Sequence, residues 1–121
     1  MSSKKTIVLG ASPNPDRASY QAVQLLNTKH HDVIALGIKA GIIDGIEIQL
    51  DKPMPTAIDT ISLYLGPDKQ AEWYPYILSI HPRRIIFNPG TENQELLQLA
   101  QAHGIQTEAA CTLVLLSTGQ Y

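Results

Sequence analysis

Cysteine is nearly missing from this sequence: Cys111 is the single one in 121 residues. No disulfide closes within the chain, and such thiol usage fits a reducing cytoplasm. An excess of positive charge is missing too, since nine Lys and Arg stand against eleven Asp and Glu, for a formal net charge of −2. A nucleic-acid footprint needs a dense basic face, and this balance argues against one. No apolar run approaches the roughly 20 residues of a membrane span. The opening "MSSKK" leads straight into a strand with no signal-type apolar region. His30, His31, His81 and His103 are scattered without metal-ligand spacing. Neither a G-x-S-x-G elbow nor a paired-carboxylate pattern is present. What remains is ordinary globular composition, 44% hydrophobic and 17% charged. One cytoplasmic domain over residues 1–121 is expected, large enough to bury one core.

Along the chain, apolar strands alternate with helical patterns. "KTIVLG" (Lys5 to Gly10), "DVIAL" (Asp32 to Leu36), "TISLYLG" (Thr60 to Gly66), "RRIIFN" (ending at Asn88) and "IQTEA" (ending at Ala109) read as five strands. The first is a continuous apolar run of the kind buried on both faces of a parallel sheet. Between Ala18 and Lys29, the residues Ala22, Val23, Leu25 and Leu26 recur at helical spacing. "GIKAGIIDG" reads as a Gly-punctuated loop, and "IEIQL" as a short edge strand or extended segment. Two prolines exclude regular structure from "DKPMPTAID". A helix is expected from Pro67, kinked or divided at Pro75. Thr91 and Gln94 suggest a capping box, Gly104 a helix stop, and "CTLVLLSTGQY" a closing helix. The expected architecture is a single Rossmann-like α/β domain of three layers with a five-stranded parallel sheet.

In such folds ligands bind outside the carboxyl ends of the strands. The residues there are "GASPNPDR", "GIKAG", "LGPD" and "NPGT": small, polar and turn-forming. Gly10 allows a ligand close to the backbone, and Ser12 and Asn14 offer short polar groups. The following helix start presents unpaired N–H groups to an anion, with Arg17 and Ser19 beside it. The competing reading is a solvated loop in which Asp16 or Ser19 only caps the helix. G-x-G-x-x-G and Gly-Lys-Ser/Thr are both absent, and no acid follows the second strand to take a ribose. Lys39 there can meet a further phosphate or simply be solvated. A phosphoacceptor domain needs acids at the first and third strand ends, where Gly10 and Leu65–Gly66 stand. Asn88 serves equally to bond a base or amide and to stabilise its turn. Cys111 has no neighbouring His to activate it and reads as a small buried hydrophobe. Trp73, Tyr74 and Tyr76 read as packing, with a partner surface as the lesser alternative.

"VLGASPNPDRASY", "FNPGTENQELLQLAQAHGI" and "ACTLVLLSTGQY" together resemble the small stand-alone CoA-binding domain proteins. Those are similar to the CoA-binding Rossmann domain of succinyl-CoA synthetase α subunits and of ADP-forming acyl-CoA synthetases. The likeness covers nearly the whole chain. It implies CoA or an acyl-CoA lying across the carboxyl edge. Gly10, Ala11, Ser12 and Pro13 then border the nucleotide, and Arg17 and Ser19 hold its phosphates. Gly66 and Pro67, with Asn88, Pro89 and Gly90, flank the other side. Relatives often carry Asn-Pro after the second strand, where this chain has Gly37-Ile38-Lys39. In the synthetases the phosphorylated histidine and the ATP-grasp machinery lie in other domains. The expected function is therefore binding of CoA or acyl-CoA without chemistry of its own, with a second copy or a partner enzyme as protein partner. Behind it stand a reduced NAD(P)- or nucleotide-sugar-dependent epimerase or reductase, and a ligand-free interaction module using "AEWYPYILSI".

Overall fold

The structure, a computed structural model, describes residues 3–121. Among them the strands are β1 (Thr6–Ala11), β2 (Val33–Gly37), β3 (Ile42–Ile43), β4 (Ile46–Gln49), β5 (Thr60–Leu63), β6 (Arg84–Phe87) and β7 (Gln106–Ala109). The α-helices are α1 (Ala18–Thr28), α2 (Tyr74–Ile80), α3 (Gln94–Ala102) and α4 (Thr112–Ser117). The strands form one sheet in the order β3-β4-β2-β1-β5-β6-β7. Only the β3–β4 pair is antiparallel.

The expected five-stranded, all-parallel sheet is thereby corrected to seven strands. The five expected strands are all there, as β1, β2, β5, β6 and β7; "IEIQL" is a strand as well, β4, but β3, from the segment read as a loop, takes the edge outside it. Asp44 and Gly45 have φ of +49° and +83°, and Ile43 pairs with Ile46 across them. Positive φ at both central residues is the type I′ hairpin geometry, whose twist matches that of the strands. This hairpin replaces a crossover helix. β3 runs back along the far side, so β4 returns parallel to β2 and beside it. Residues 50–59 then cross to β5 without a helix, anchored by buried Ile58 and by the Tyr76 hydroxyl, which donates to the Pro53 carbonyl at 2.6 Å.

Successive strand side chains point to opposite faces, and here both faces are covered. Ile7 and Leu9 pack with Ile77 and Ile80 of α2 and Leu96 and Ala100 of α3. Val8, Ala35 and Ile86 pack with Val23 and Leu26 of α1 and Leu116 of α4. Burial on both sides explains why the strands read as continuous apolar runs.

Pro75 divides its segment. Two single-turn 3-10 helices, Pro67–Lys69 and Ala71–Trp73, precede α2, which holds Pro75 in its first turn, where a missing N–H breaks no helical bond. Gly104, at φ +74°, follows the end of α3 as expected. The Thr91 capping box does not form. Asn93 caps α3 instead, its side-chain oxygen accepting from the Glu95 and Leu96 N–H groups at 3.1 and 3.4 Å. Thr91 is buried, and its hydroxyl donates to the Asn88 carbonyl at 2.7 Å. Among the described residues no helix is long and apolar enough to cross a membrane.

Candidate functional site at the carboxyl edge

The chain leaves β1 with β2 on one side and β5 on the other, so the strand order reverses at β1. In open α/β sheets that reversal opens a crevice for ligands. Its walls are residues 11–17 after β1, 37–41 after β2, 64–66 after β5 and 88–93 after β6.

Glycine lets these walls close on one another. The β1 register shifts between Leu9 and Ala11, and Gly10 there has φ +99°. A Cβ on Gly10 would stand 3.0 Å from the backbone of Tyr64 and Leu65. On the other side, a Cβ on Gly37 would lie 2.3 Å from the Ala11 carbonyl oxygen, and one on Gly41 2.6 Å from Pro13 Cβ. The β1 exit loop is therefore clasped from both flanks, and the contacts of Gly37 and Gly41 were not legible from their loop-like sequence.

Short polar groups set the loop itself. The Ser12 hydroxyl accepts from the Asn14 N–H at 3.1 Å, and the Asn14 side-chain oxygen accepts from the Asp16 N–H at 3.0 Å. The Asn14 carbonyl accepts from the Arg17 N–H at 3.0 Å. Such local bonds hold a turn against helix formation until the chain is ready to enter one. Arg17 then stands at the N-cap of α1 in extended conformation with no side-chain cap, and the first turn holds no acid. Neither Asp16 nor Ser19 caps the helix. The first helical bond runs from the Gln21 N–H to the Arg17 carbonyl, so the Ala18, Ser19 and Tyr20 N–H groups have no acceptor within the helix. Arg17 and Lys39 are exposed, and neither forms a salt bridge among the described residues. Ser19 is buried.

The opposite wall is braced from within. Asn88, 1% exposed, donates to the Ser62 hydroxyl at 3.0 Å and the Leu63 carbonyl at 2.9 Å, and accepts from the Thr112 N–H at 2.8 Å. Its amide ties β5, β6 and α4 together, and both donors are committed. Gly66 is half-buried, while Pro67, Pro89 and Gly90 are exposed. The Gly90 N–H, at φ +91°, donates to Glu92 at 2.8 Å. Sequence reasoning missed Gln70. It is fully buried, donating to the Leu65 carbonyl at 2.9 Å and the Thr91 carbonyl at 2.8 Å, and accepting from the Asn93 amide at 2.8 Å. Nothing local signals this role, because its partners on Thr91 and Asn93 arrive from beyond α2 and β6.

Below the wall, the Ser62 and Thr112 hydroxyls bond each other at 2.7 Å and leave the neighbouring Tyr64 hydroxyl buried without a partner among the described residues. Burial above all pushes that phenol up to about 12, so it is neutral at physiological pH. Cys111, half-buried, occupies the N-cap of α4 without a side-chain capping bond. Among the described residues no three of His, Cys, Asp and Glu gather as a metal-holding group.

Residues 4–117 match the family described as CoA binding domain. Among solved structures, a crystal structure of an uncharacterized protein is 42% identical, with TM-score 0.97 and coverage of 100% of both chains. A hypothetical protein from Pyrococcus horikoshii OT3 shares the fold at 23% identity and TM-score 0.83, covering 93% of this chain and 80% of that one. So does cell-free ID.343 from Thermus thermophilus, at 19% identity and TM-score 0.82, covering 98% and 91%. No curated protein matches the chain. The glycine-clasped β1 exit at the strand-order reversal, and a family match running through every strand and helix, lead to one assignment: the chain belongs to the CoA binding domain family.

Proposed function

We propose that the chain binds coenzyme A or an acyl-CoA across the carboxyl edge of the sheet and performs no chemistry of its own. The observation carrying this reading is the start of α1: an uncapped helix terminus with the exposed, unpaired Arg17 at its N-cap position, over a loop clasped by glycines. A pyrophosphate is suited by free helix-start amides and a guanidinium together. Gly10, Ala11, Ser12 and Pro13 form the seat, Arg17 and the Ser19 N–H oppose the phosphates, and Lys39 meets the further phosphate of CoA. Gly66, Pro67, Pro89 and Gly90 flank the remainder, on a wall that Asn88 holds in place. Residues 1–121 act in this reading as one cytoplasmic unit that presents the ligand to a second copy or to a partner enzyme.

Calorimetric titration with CoA, acetyl-CoA, NAD⁺ and ADP tests it. CoA binds best, and Arg17→Ala weakens CoA by about tenfold to a hundredfold, the worth of a charge-assisted contact, with an unchanged melting temperature. Preference for NAD⁺ overturns the reading. Silence toward all four ligands transfers it to an interaction module.

A further inference from the structure

We infer that Gln70 is a positioning residue for the pantetheine arm: it turns the N–H groups of Gly66 and Glu92 outward as a pair of donors for the arm's amide or thioester carbonyls. This rests on the reading above and deepens it. The Gln70 amide nitrogen draws in two carbonyls at once, Leu65 at 2.9 Å and Thr91 at 2.8 Å. No peptide bond in the described chain is cis. In a planar trans peptide the C=O and the following N–H point in opposite directions. Holding those two carbonyls inward therefore turns the Gly66 and Glu92 N–H groups away from the buried amide. Neither N–H donates to any group among the described residues. Because one nitrogen holds both carbonyls, the two peptide units are neighbours, one on each strand-exit loop.

The charge around them selects the kind of acceptor. A Cβ on Gly66 would lie 3.0 Å from Asp68 Oδ1, and the Glu92 carboxylate receives the Gly90 N–H at 2.8 Å. A wall carrying two carboxylates repels phosphate and suits a neutral carbonyl, whereas unpaired Arg17 and Lys39 lie on the β1 and β2 loops. CoA has this polarity, with phosphates at one end and a neutral arm bearing amide carbonyls at the other. Gln70 itself is satisfied on every side, through Asn93, whose amide also donates to the Tyr74 hydroxyl at 2.8 Å. Held through all three bonds in a fully buried position, it is a fixed brace for both loops.

The test compares CoA with its nucleotide half, 3′-phosphoadenosine 5′-diphosphate, on wild type, Gln70→Glu and Gln70→Met. Gln70→Glu keeps the shape and removes both donors; Gln70→Met keeps the length without charge, so a folding failure in one leaves the other informative. The expected result is a loss of about tenfold in affinity for CoA, equivalent to about one hydrogen bond. The nucleotide half should change by less than about twofold. Equal losses for both ligands reduce Gln70 to a structural residue and overturn the inference, as does unchanged CoA affinity. Wild type binding the nucleotide half as tightly as CoA also overturns it, while the CoA reading stands. Wild type binding neither ligand removes the CoA reading itself, and the inference falls with it.

Discussion

At the amino edge of the sheet Arg83 grips Asp59 through two bonds of 2.9 and 3.0 Å, whereas at the carboxyl edge Arg17 and Lys39 form no salt bridge among the described residues. The contrast extends to the neighbours. Arg84, 6% exposed, donates to the Thr60 hydroxyl at 3.1 Å and Glu108 at 3.3 Å. Its guanidinium also lies 4.7 Å from the centre of the Tyr121 ring. Tyr121 meets the Thr6 hydroxyl at 2.6 Å and packs edge-on against His31 at 5.1 Å. His31 accepts the Lys4 N–H at 2.9 Å. One edge uses its charges on itself and so contributes to stability; the other holds its backbone by glycine contacts and neutral amides and leaves its cations available. A cation already paired loses its attraction for a ligand, so this division is what a phosphate seat requires.

The comparison breaks most severely at Gly37. Gly37→Ala forces a Cβ against the Ala11 carbonyl, and we expect a loss of about 3 kcal/mol in stability, the upper range for overpacking, read by chemical denaturation. The same substitution displaces the β1 exit loop and, on the proposed function, is expected to abolish CoA binding in the calorimetric titration. Asn88→Ala comes next. It leaves the Thr112 N–H and the Leu63 carbonyl without their partner in a buried site, for an expected loss of about 2 kcal/mol, measured the same way.

At the amino edge, half-buried His31 and exposed Arg83 yield smaller effects because water reaches both. Burial first, then the positive charge of Lys4, holds the His31 imidazole below its ordinary value. A lowered folded value means that the contribution is fully present above the unfolded pKa, about 6.5, and is lost as pH falls through the folded one. His31→Asn keeps an acceptor for the Lys4 N–H but does not titrate. Denaturation at pH 7.5 and pH 5 should show an acid loss in wild type of less than about 1 kcal/mol, absent from the variant.

The smallest effect belongs to Arg83→Ala. The bond from Arg83 holds the Asp59 carboxyl below the usual carboxylate range. Its contribution exists above the unfolded Asp value, about 3.9, and disappears as pH falls through the depressed one. Arg83 is exposed and Asp59 half-buried, so solvent screens the pair and the expected cost at neutral pH is about 0.5 kcal/mol. Wild type and variant should converge in strongly acid solution. An equal cost at all pH values would mean that Arg83 acts by packing alone.

Legibility followed the range of the interactions. β1, β2, β5, β6 and β7 were readable because burial on both faces writes itself as an apolar run. β4 was readable in "IEIQL" as a short strand, but β3 and the hairpin were missed although their signal is local: Asp44-Gly45 between isoleucines is a strong hairpin mark. Thr91 and Asn93 are both good N-caps, and only the burial of Thr91 against Asn88 passes the cap to Asn93. Arg17 was legible as a candidate because a polar loop ending on a helix start has one chemistry wherever it occurs. Gln70 and the contacts of Gly37 and Gly41 were not, since their partners sit on other loops.

By itself, then, the sequence determined the alternation of strands and helices, the layers, and the polar carboxyl edge, all consequences of hydrophobic periodicity and turn chemistry acting over a few residues. Only the tertiary structure decided that Asn88 and Gln70 act as inner braces, that Gly37 and Gly41 clasp the first loop, and that Arg83 and Arg84 are paired while Arg17 is not. Those outcomes depend on which loops and strands meet in space, and pairing across the sheet is settled by the fold as a whole.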